Sequence, residues 1–248
     1  MVSIVCGGRK FQDIELIGFD KDGTLLDISM YVPVMQKRAE ILVEKYELPD
    51  EAYNEILELM GVDPENKTII KGGPIHVQRV ENIKHTREYL RKYSVTISVG
   101  ELSEIFNQVD DQVDFSDYIK PFPGVIKLLE ELDKTDVKIV LFTLDSTEPA
   151  EKHLTSAKIK DHFDMILGLD VDSPYQPKPA PDMLQYACKL LEVDITKTIV
   201  IGDDDRDMLM GKNAGNVSTI GVLSGKCSEK ELKNADVIIQ SVADIKVK

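Results

Sequence analysis

Apolar and polar residues alternate along the chain in two textures. Near the start, Ser3 to Cys6 reads as a short strand followed by a Gly7-Gly8 turn, and Glu15 to Phe19 is a compact, mostly apolar run ending in Asp20. A run of that length with no alternation predicts a strand buried on both faces. Beyond Pro121-Phe122-Pro123-Gly124, a cluster that a helix rarely crosses, strands and helices alternate. Val125, Leu128, Leu129 and Leu132 lie on one helix face, Val137 to Phe142 reads as a strand, and Ala150 to Ala157 as a helix. Met165 to Leu167 predicts a strand, Met183 to Leu191 a helix, Thr198 to Ile201 a strand and Met208 to Asn213 a helix. Val217 to Val222 and Val237 to Ile239 predict the last strands.

The stretch from about Ser29 to Tyr118 is different, with a helical period throughout. Asp50 is placed to cap a helix carrying Tyr53, Ile56, Leu57 and Met60 on one face, and Gly61 to end it. Val80, Ile83 and Leu90 follow a similar spacing, which Arg87 interrupts. Leu102, Ile105, Phe106, Val109 and Val113 form the clearest amphipathic stripe. The pattern predicts a doubly wound α/β domain with a parallel sheet, residues 1–28 and 119–248, interrupted after its first main strand by a helical unit, residues 29–118.

Composition narrows the function. At 248 residues the chain is long enough for a real core without staples. The formal net charge of −14 argues against nucleic acid, which needs a concentrated basic face, and against anionic membrane surfaces. Three scattered cysteines, Cys6, Cys188 and Cys227, form neither a disulfide framework nor a zinc site. No early segment has the pattern of a signal peptide and no apolar stretch approaches the length of a membrane span, so a cytoplasmic protein is expected.

In a doubly wound sheet, ligands bind beyond the carboxyl ends of the strands. Those positions hold Asp20-Lys21-Asp22-Gly23-Thr24, then Thr143-Leu144-Asp145-Ser146, then Gly202 to Asp207, with Lys178 in the Gln176 to Pro179 loop. Clustered carboxylates repel, and a hard divalent cation relieves this; magnesium accepts a few carboxylates and keeps positions open for phosphate oxygens. A carboxylate can also attack phosphorus, and phosphoryl transfer asks mainly for positioning and charge neutralisation.

Phe19 to Asp27, FDKDGTLLD, resembles the first motif of the haloacid dehalogenase superfamily. Thr143 matches the second motif, Lys178 the third, and Gly202-Asp203 with Asp207 the fourth. The runs Lys178 to Asp182 and Ala235 to Ile239 are similar to the phosphoglycolate phosphatase-like branch. The resemblance implies a Rossmann-like core with a helical cap at the insertion, and a small phosphorylated metabolite as substrate. It implies Asp20 as nucleophile and metal ligand. Asp22 would be the acid and base, lending its carbonyl to Mg2+. Thr143 would bind the phosphoryl group, Lys178 would neutralise Asp20 and the phosphate, Asp203 would be a metal ligand, and Asp207 would orient a metal-bound water or Lys178.

Several positions stay open. Asp204 competes with Asp207 to complete the metal site, and Asp205 reads as a residue of a helix N-terminus. Asp145 reads as a turn or cap residue pointing away, and Lys21 as solvated or ion-paired. Ser146 is a phosphate donor or an N-cap, and Thr24 supports the nucleophile loop or caps it. His76, Arg79, Lys84, His85, Arg87, Arg91 and Lys92 make a basic stretch in the insertion. Either Arg79 or Arg87 contacts an anionic substrate, or the stretch is a solvated helix face; Gly72-Gly73 is a flexible loop or a turn. The leading expectation is hydrolysis of a phosphomonoester. Asp22 speaks against a dehalogenase, and the alternatives are a sugar phosphomutase or a non-catalytic binding protein on the same fold.

Overall fold

A computed structural model describes residues 2–70, 79–114, 118–215 and 217–248, with the side chains of Arg79, Val80 and Asp111 outside the description. The chain divides into two compact units, residues 1–27 with 119–248, and Ile28–Tyr118.

The first unit opens with a hairpin, β1 (Val2–Cys6) and β2 (Arg9–Ile14), turning through Gly7 and Gly8 at positive φ. Strand β3 (Leu16–Phe19) follows, with all four residues buried. In the second unit come helices α1 (Val32–Lys45) and α2 (Glu51–Leu59), a hairpin of β4 (Val62–Asp63) and β5 (Thr68–Ile69), and helices α3 (Arg79–Leu90) and α4 (Val99–Gln112). The chain then returns to the first unit with α5 (Val125–Leu132), β6 (Lys138–Phe142), α6 (Thr147–Ser156), β7 (Met165–Leu167) and α7 (Asp182–Leu190). It finishes with β8 (Thr198–Gly202), α8 (Asp205–Asn213), β9 (Ser218–Val222), β10 (Val237–Ile239) and β11 (Lys246–Val247).

The main sheet has six strands in the order β10-β9-β8-β3-β6-β7, and every pairing in it is parallel. β3 is central: Ile17 aligns with Ile139 of β6 on one side and Ile199 of β8 on the other. The chain builds outward from β3 first through β6 and β7, then on the opposite side through β8, β9 and β10. The order therefore reverses at β3, and in sheets of this kind ligands bind beyond the carboxyl ends at such a reversal. Helices cover the sheet, so its strands are near-continuous apolar runs; β8 buries all five of its residues.

The predicted helix face on α5 is buried at every position, Val125, Leu128, Leu129 and Leu132. Truncating such a leucine to alanine costs about 2–5 kcal/mol. In the second unit, α4 starts in a capping box: Ser98 Oγ accepts from the Glu101 N–H at 3.2 Å, and Glu101 accepts from the Ser98 N–H at 2.9 Å. Its stripe of Leu102, Ile105, Phe106 and Val109 is buried as the period requires. Gly61 follows α2 at φ +89°, a conformation that glycine adopts without strain.

The structure departs from the sequence reading at several points. Asp50 and Ser146 occupy the N-cap positions of α2 and α6, but neither side chain caps the helix; the Ser146 hydroxyl bonds Asp170 instead. β2 and β11 were not anticipated, and pair with β1 in a separate three-stranded sheet. Helix α1 and the β4–β5 hairpin are likewise additions to the helical stretch. Among the described residues, no helix is long and apolar enough to cross a membrane. All three cysteines are free, with Cys6 and Cys188 buried.

Candidate active site

The end of β3 passes into a tight loop. Asp20 N–H donates to the Ile201 carbonyl at 2.9 Å, which extends the β3–β8 ladder by one bond and fixes the backbone of Asp20. The Lys21 carbonyl then accepts from both Leu25 and Leu26 N–H groups at 2.9 Å, so the loop folds back on itself. Gly23 sits inside this bend at φ +86°. A Cβ there would stand 2.5 Å from Asp203 Oδ2 and 2.8 Å from the Gly225 Cα. The position therefore requires glycine for both conformation and space.

Lys178 links the strand ends. Its Nζ donates to Asp20 Oδ1 and Asp207 Oδ1, each at 2.6 Å, and to the Phe142 carbonyl at 3.1 Å. The lysine is only 6% exposed. Burial alone would lower its pKa, but Asp20 and Asp207 outweigh burial and hold it above the ordinary value, so the ammonium stays charged. Asp207 receives further order from α8. Asp204 is the N-cap of that helix, and Asp207, three residues on, accepts from the Asp204 N–H at 3.2 Å in a capping box.

Asp20, Asp203 and Asp207 each offer an oxygen within 4.8 Å of the others. Asp203 is 2% exposed and accepts from the Lys226 N–H at 2.8 Å. Burial, then Asp20 and Asp207, push its carboxyl well above the usual carboxylate range. Burial also pushes Asp207 up to about 6, with Lys178 opposing and Asp20 adding to the rise. These are the signs of negative charge that the protein's own cations do not fully neutralise. An all-oxygen set of that kind suits a hard divalent cation, and the residues present fit one.

Asp22 is raised to about 6 by burial, with Asp145 and Asp20 adding and Lys21 opposing. Thr143 is 3% exposed, and its Oγ1 accepts from the Asp145 N–H at 3.2 Å. The structure thus brings Asp20, Lys178, Asp203 and Asp207 directly together, and places Asp22 and Thr143 immediately after the same central strands, β3 and β6.

One reading is corrected and several open ones are decided. Of the two readings of Lys21, solvated or ion-paired, the second holds: its side chain is fully buried and pairs with Asp22 at 2.6 Å and Asp145 at 2.9 Å. The neighbours Lys21 and Asp22 meet because the loop is bent rather than extended. Asp145 does not point away, since it is the second carboxylate on Lys21. Asp204 is engaged elsewhere, by Arg206 Nε at 2.8 Å and by Lys226 Nζ, and these cations hold its carboxyl low against burial. Asp205 is the first residue of α8 and accepts from the Asn234 side chain at 2.7 Å. Thr24 Oγ1 is buried without a hydrogen-bond partner among the described residues, where it neither caps nor braces the loop through that atom.

In the second unit, Arg87 lies on α3 with a buried Nε that has no hydrogen-bond partner among the described residues. The Arg79 side chain, His76 and Gly72-Gly73 lie outside the described residues. Lys84, Arg91 and Lys92 are exposed and face Glu81, Glu88 and Glu55, as on a solvated helix. The sequence reading missed Lys226, His153 and Arg206. Lys226 was within reach of it, for it stands just after β9, where the strand-end rule directs attention.

A family model described as haloacid dehalogenase-like hydrolase matches residues 14–215. Among curated proteins, the chain is 25% identical over 236 residues to a phosphoglycolate phosphatase of Caulobacter vibrioides, covering 92% of this chain and 88% of that one. It is 32% identical over 126 residues to the probable phosphatase IndB of Dickeya dadantii, a match spanning 50% of this chain and 54% of that one. A crystal structure described as a predicted phosphoglycolate phosphatase from Haemophilus somnus superposes with a TM-score of 0.68 at 19% identity, covering 94% of this chain and 96% of that one. At that identity the superposition speaks for the fold alone. The chain belongs to the haloacid dehalogenase-like hydrolases, among the phosphatases of the phosphoglycolate phosphatase-like branch.

Proposed function

We propose that the protein hydrolyses a small phosphomonoester in a Mg2+-dependent reaction through an aspartyl-phosphate at Asp20. The observation that carries this reading is the Lys178 ammonium shared between Asp20 and Asp207, with Asp203 alongside. Lys178 lowers the repulsion between Asp20 and an incoming phosphate dianion and orients the Asp20 carboxylate. A free Asp20 oxygen attacks phosphorus, forming the new O–P bond as the ester P–O bond breaks. Asp22 gives its proton to the departing alkoxide. Water then attacks phosphorus while Asp22 takes one of its protons, which releases inorganic phosphate, frees the Asp20 carboxylate and returns Asp22 to its protonated form. Thr143 donates its hydroxyl to the phosphoryl group.

Mg2+ would be held by Asp20, Asp203 and Asp207 with the main-chain carbonyl of Asp22, and would supply charge neutralisation for the phosphoryl oxygens. Residues 1–28 and 119–248 serve as the catalytic core, and residues 29–118 as a cap that selects the substrate. Arg79 and Arg87 are the cap residues assigned to an anionic substrate; Ser146 could add a phosphate donor only by giving up its bond to Asp170. Phosphoglycolate is the first substrate to test, because the Caulobacter vibrioides relative carries that name.

The deciding experiment incubates the protein with Mg2+ and a panel of metabolite phosphates, with free phosphate measured. Release from phosphoglycolate or another small monoester is expected. Isomerised sugar phosphate without free phosphate would instead mark a mutase, and no turnover of any ester would refute the reading.

A further inference from the structure

Lys21 is a completely buried lysine at the heart of the molecule, and the reaction proposed above gives it no part. Its Nζ lies 2.6 Å from Asp22 Oδ1, 2.9 Å from Asp145 Oδ2 and 3.2 Å from His153 Nδ1. These acceptors come from the loop after β3, the loop after β6 and the middle of α6. An ammonium has N–H donors and no acceptor, so His153 Nδ1 must receive the bond and the imidazole must be neutral. Burial and Lys21 both act in that direction on His153, lowering its pKa to about 4.

A buried ammonium is costly unless it is paired, and an unneeded one is readily replaced by an apolar side chain. Here the pairing is also directional. The short bond to Oδ1 fixes the side-chain torsions of Asp22, a residue whose proton must reach an oxygen of the substrate with hydrogen-bond geometry. Asp145 and His153 hold the ammonium from two other elements, so Lys21 cannot swing away with the loop.

We propose that Lys21, anchored by Asp145 and His153, is a positioning residue that sets the Asp22 carboxyl for proton transfer to the leaving group. The inference rests on the reading of Asp22 as acid and base. Lys21 touches neither substrate nor metal in this scheme, and its whole effect passes through Asp22.

The test uses leaving groups of different acidity. A p-nitrophenolate departs with little help from a proton, whereas a phenolate needs more. Substitution Lys21→Met, of similar length and uncharged, is expected to lower kcat/KM for phenyl phosphate by about 10- to 100-fold, a part of the roughly 100- to 10,000-fold that a positioned general acid contributes. For p-nitrophenyl phosphate the loss stays below about threefold, because proton donation contributes little to that departure. Substitution Asp145→Asn, which leaves the lysine in place, should shift the ratio of the two substrates in the same direction by less. It carries the test if Lys21→Met does not fold. Equal losses on both substrates, or none on either in a folded variant, overturn the proposal. Wild type must hydrolyse both esters and Asp20→Asn neither; failure of those controls would refute the phosphatase reading itself, and this inference with it.

Discussion

Asp20 and Lys178 stand 158 positions apart in sequence and meet through a 2.6 Å hydrogen bond. The same ammonium reaches Asp207 at 2.6 Å, so one buried cation organises two of the carboxylates that crowd the strand ends. Removing it leaves a buried Asp207 and a partly buried Asp20 without their counter-ion. Lys178→Met is expected to abolish turnover and to destabilise the metal-free protein by about 3–5 kcal/mol, the usual cost of breaking a buried pair. Denaturant unfolding of the metal-free variant, alongside its rate with p-nitrophenyl phosphate, checks both effects.

The uncompensated charge of Asp20, Asp203 and Asp207 gives a second expectation, which needs no substrate. Mg2+ should raise the unfolding temperature, because a ligand of the native state stabilises it by mass action. Asp203→Asn should weaken that rise markedly, and EDTA should return wild type to the metal-free value. A thermal melt across a Mg2+ titration measures all three.

Gly23 fits against Asp203 so closely that a side chain cannot be added without moving one of them. Gly23→Ala meets a clash at 2.5 Å and a strained φ of +86°, and is expected to cost about 1–3 kcal/mol. It should also weaken the Mg2+ response, since Asp203 is what it displaces. Melts of the variant with and without Mg2+ separate the two consequences.

His153 provides a pH dependence of defined sign. Its folded pKa of about 4 lies below the ordinary 6.5 of a histidine, through burial and then Lys21, with Asp145 opposing. Between those values the unfolded chain binds more protons than the folded one, so this residue's contribution is present above about pH 6.5 and is lost as pH falls toward 4. The denaturant midpoint of wild type should therefore fall between pH 6.5 and pH 4.5 more steeply than that of His153→Gln. Equal slopes would place His153 in an environment unlike the one described.

The parallel sheet was legible because its strands are buried on both faces and stand out as unbroken apolar runs, as Leu16 to Phe19 and Thr198 to Gly202 do. The strand-end rule then led to Asp20, Asp203 and Asp207, while Lys178, in a loop before α7 and not at a strand end, was reached through the family resemblance. β2 was illegible for the opposite reason: Arg9, Lys10, Gln12 and Asp13 are polar, and its pairing depends on β1 rather than on any pattern of its own. Asp145 was misread, and Lys21 was left between solvent and an ion pair, because their partnership is tertiary. It becomes visible only when the loop after β3 is seen to fold back and the loop after β6 to bring Asp145 against Lys21. Asp204 could be separated from Asp207 only by seeing Arg206 and Lys226 take up its oxygens.

The claim that Asp20 becomes covalently phosphorylated is tested most directly by acid-quenching the protein in turnover with p-nitrophenyl phosphate and Mg2+, then mapping the modified peptide by mass spectrometry. The account predicts one added phosphoryl group on the peptide that carries Asp20, lost on treatment with hydroxylamine and absent from Asp20→Asn. Undiminished turnover in Asp20→Asn, or a phosphoryl group on another residue alone, would contradict it.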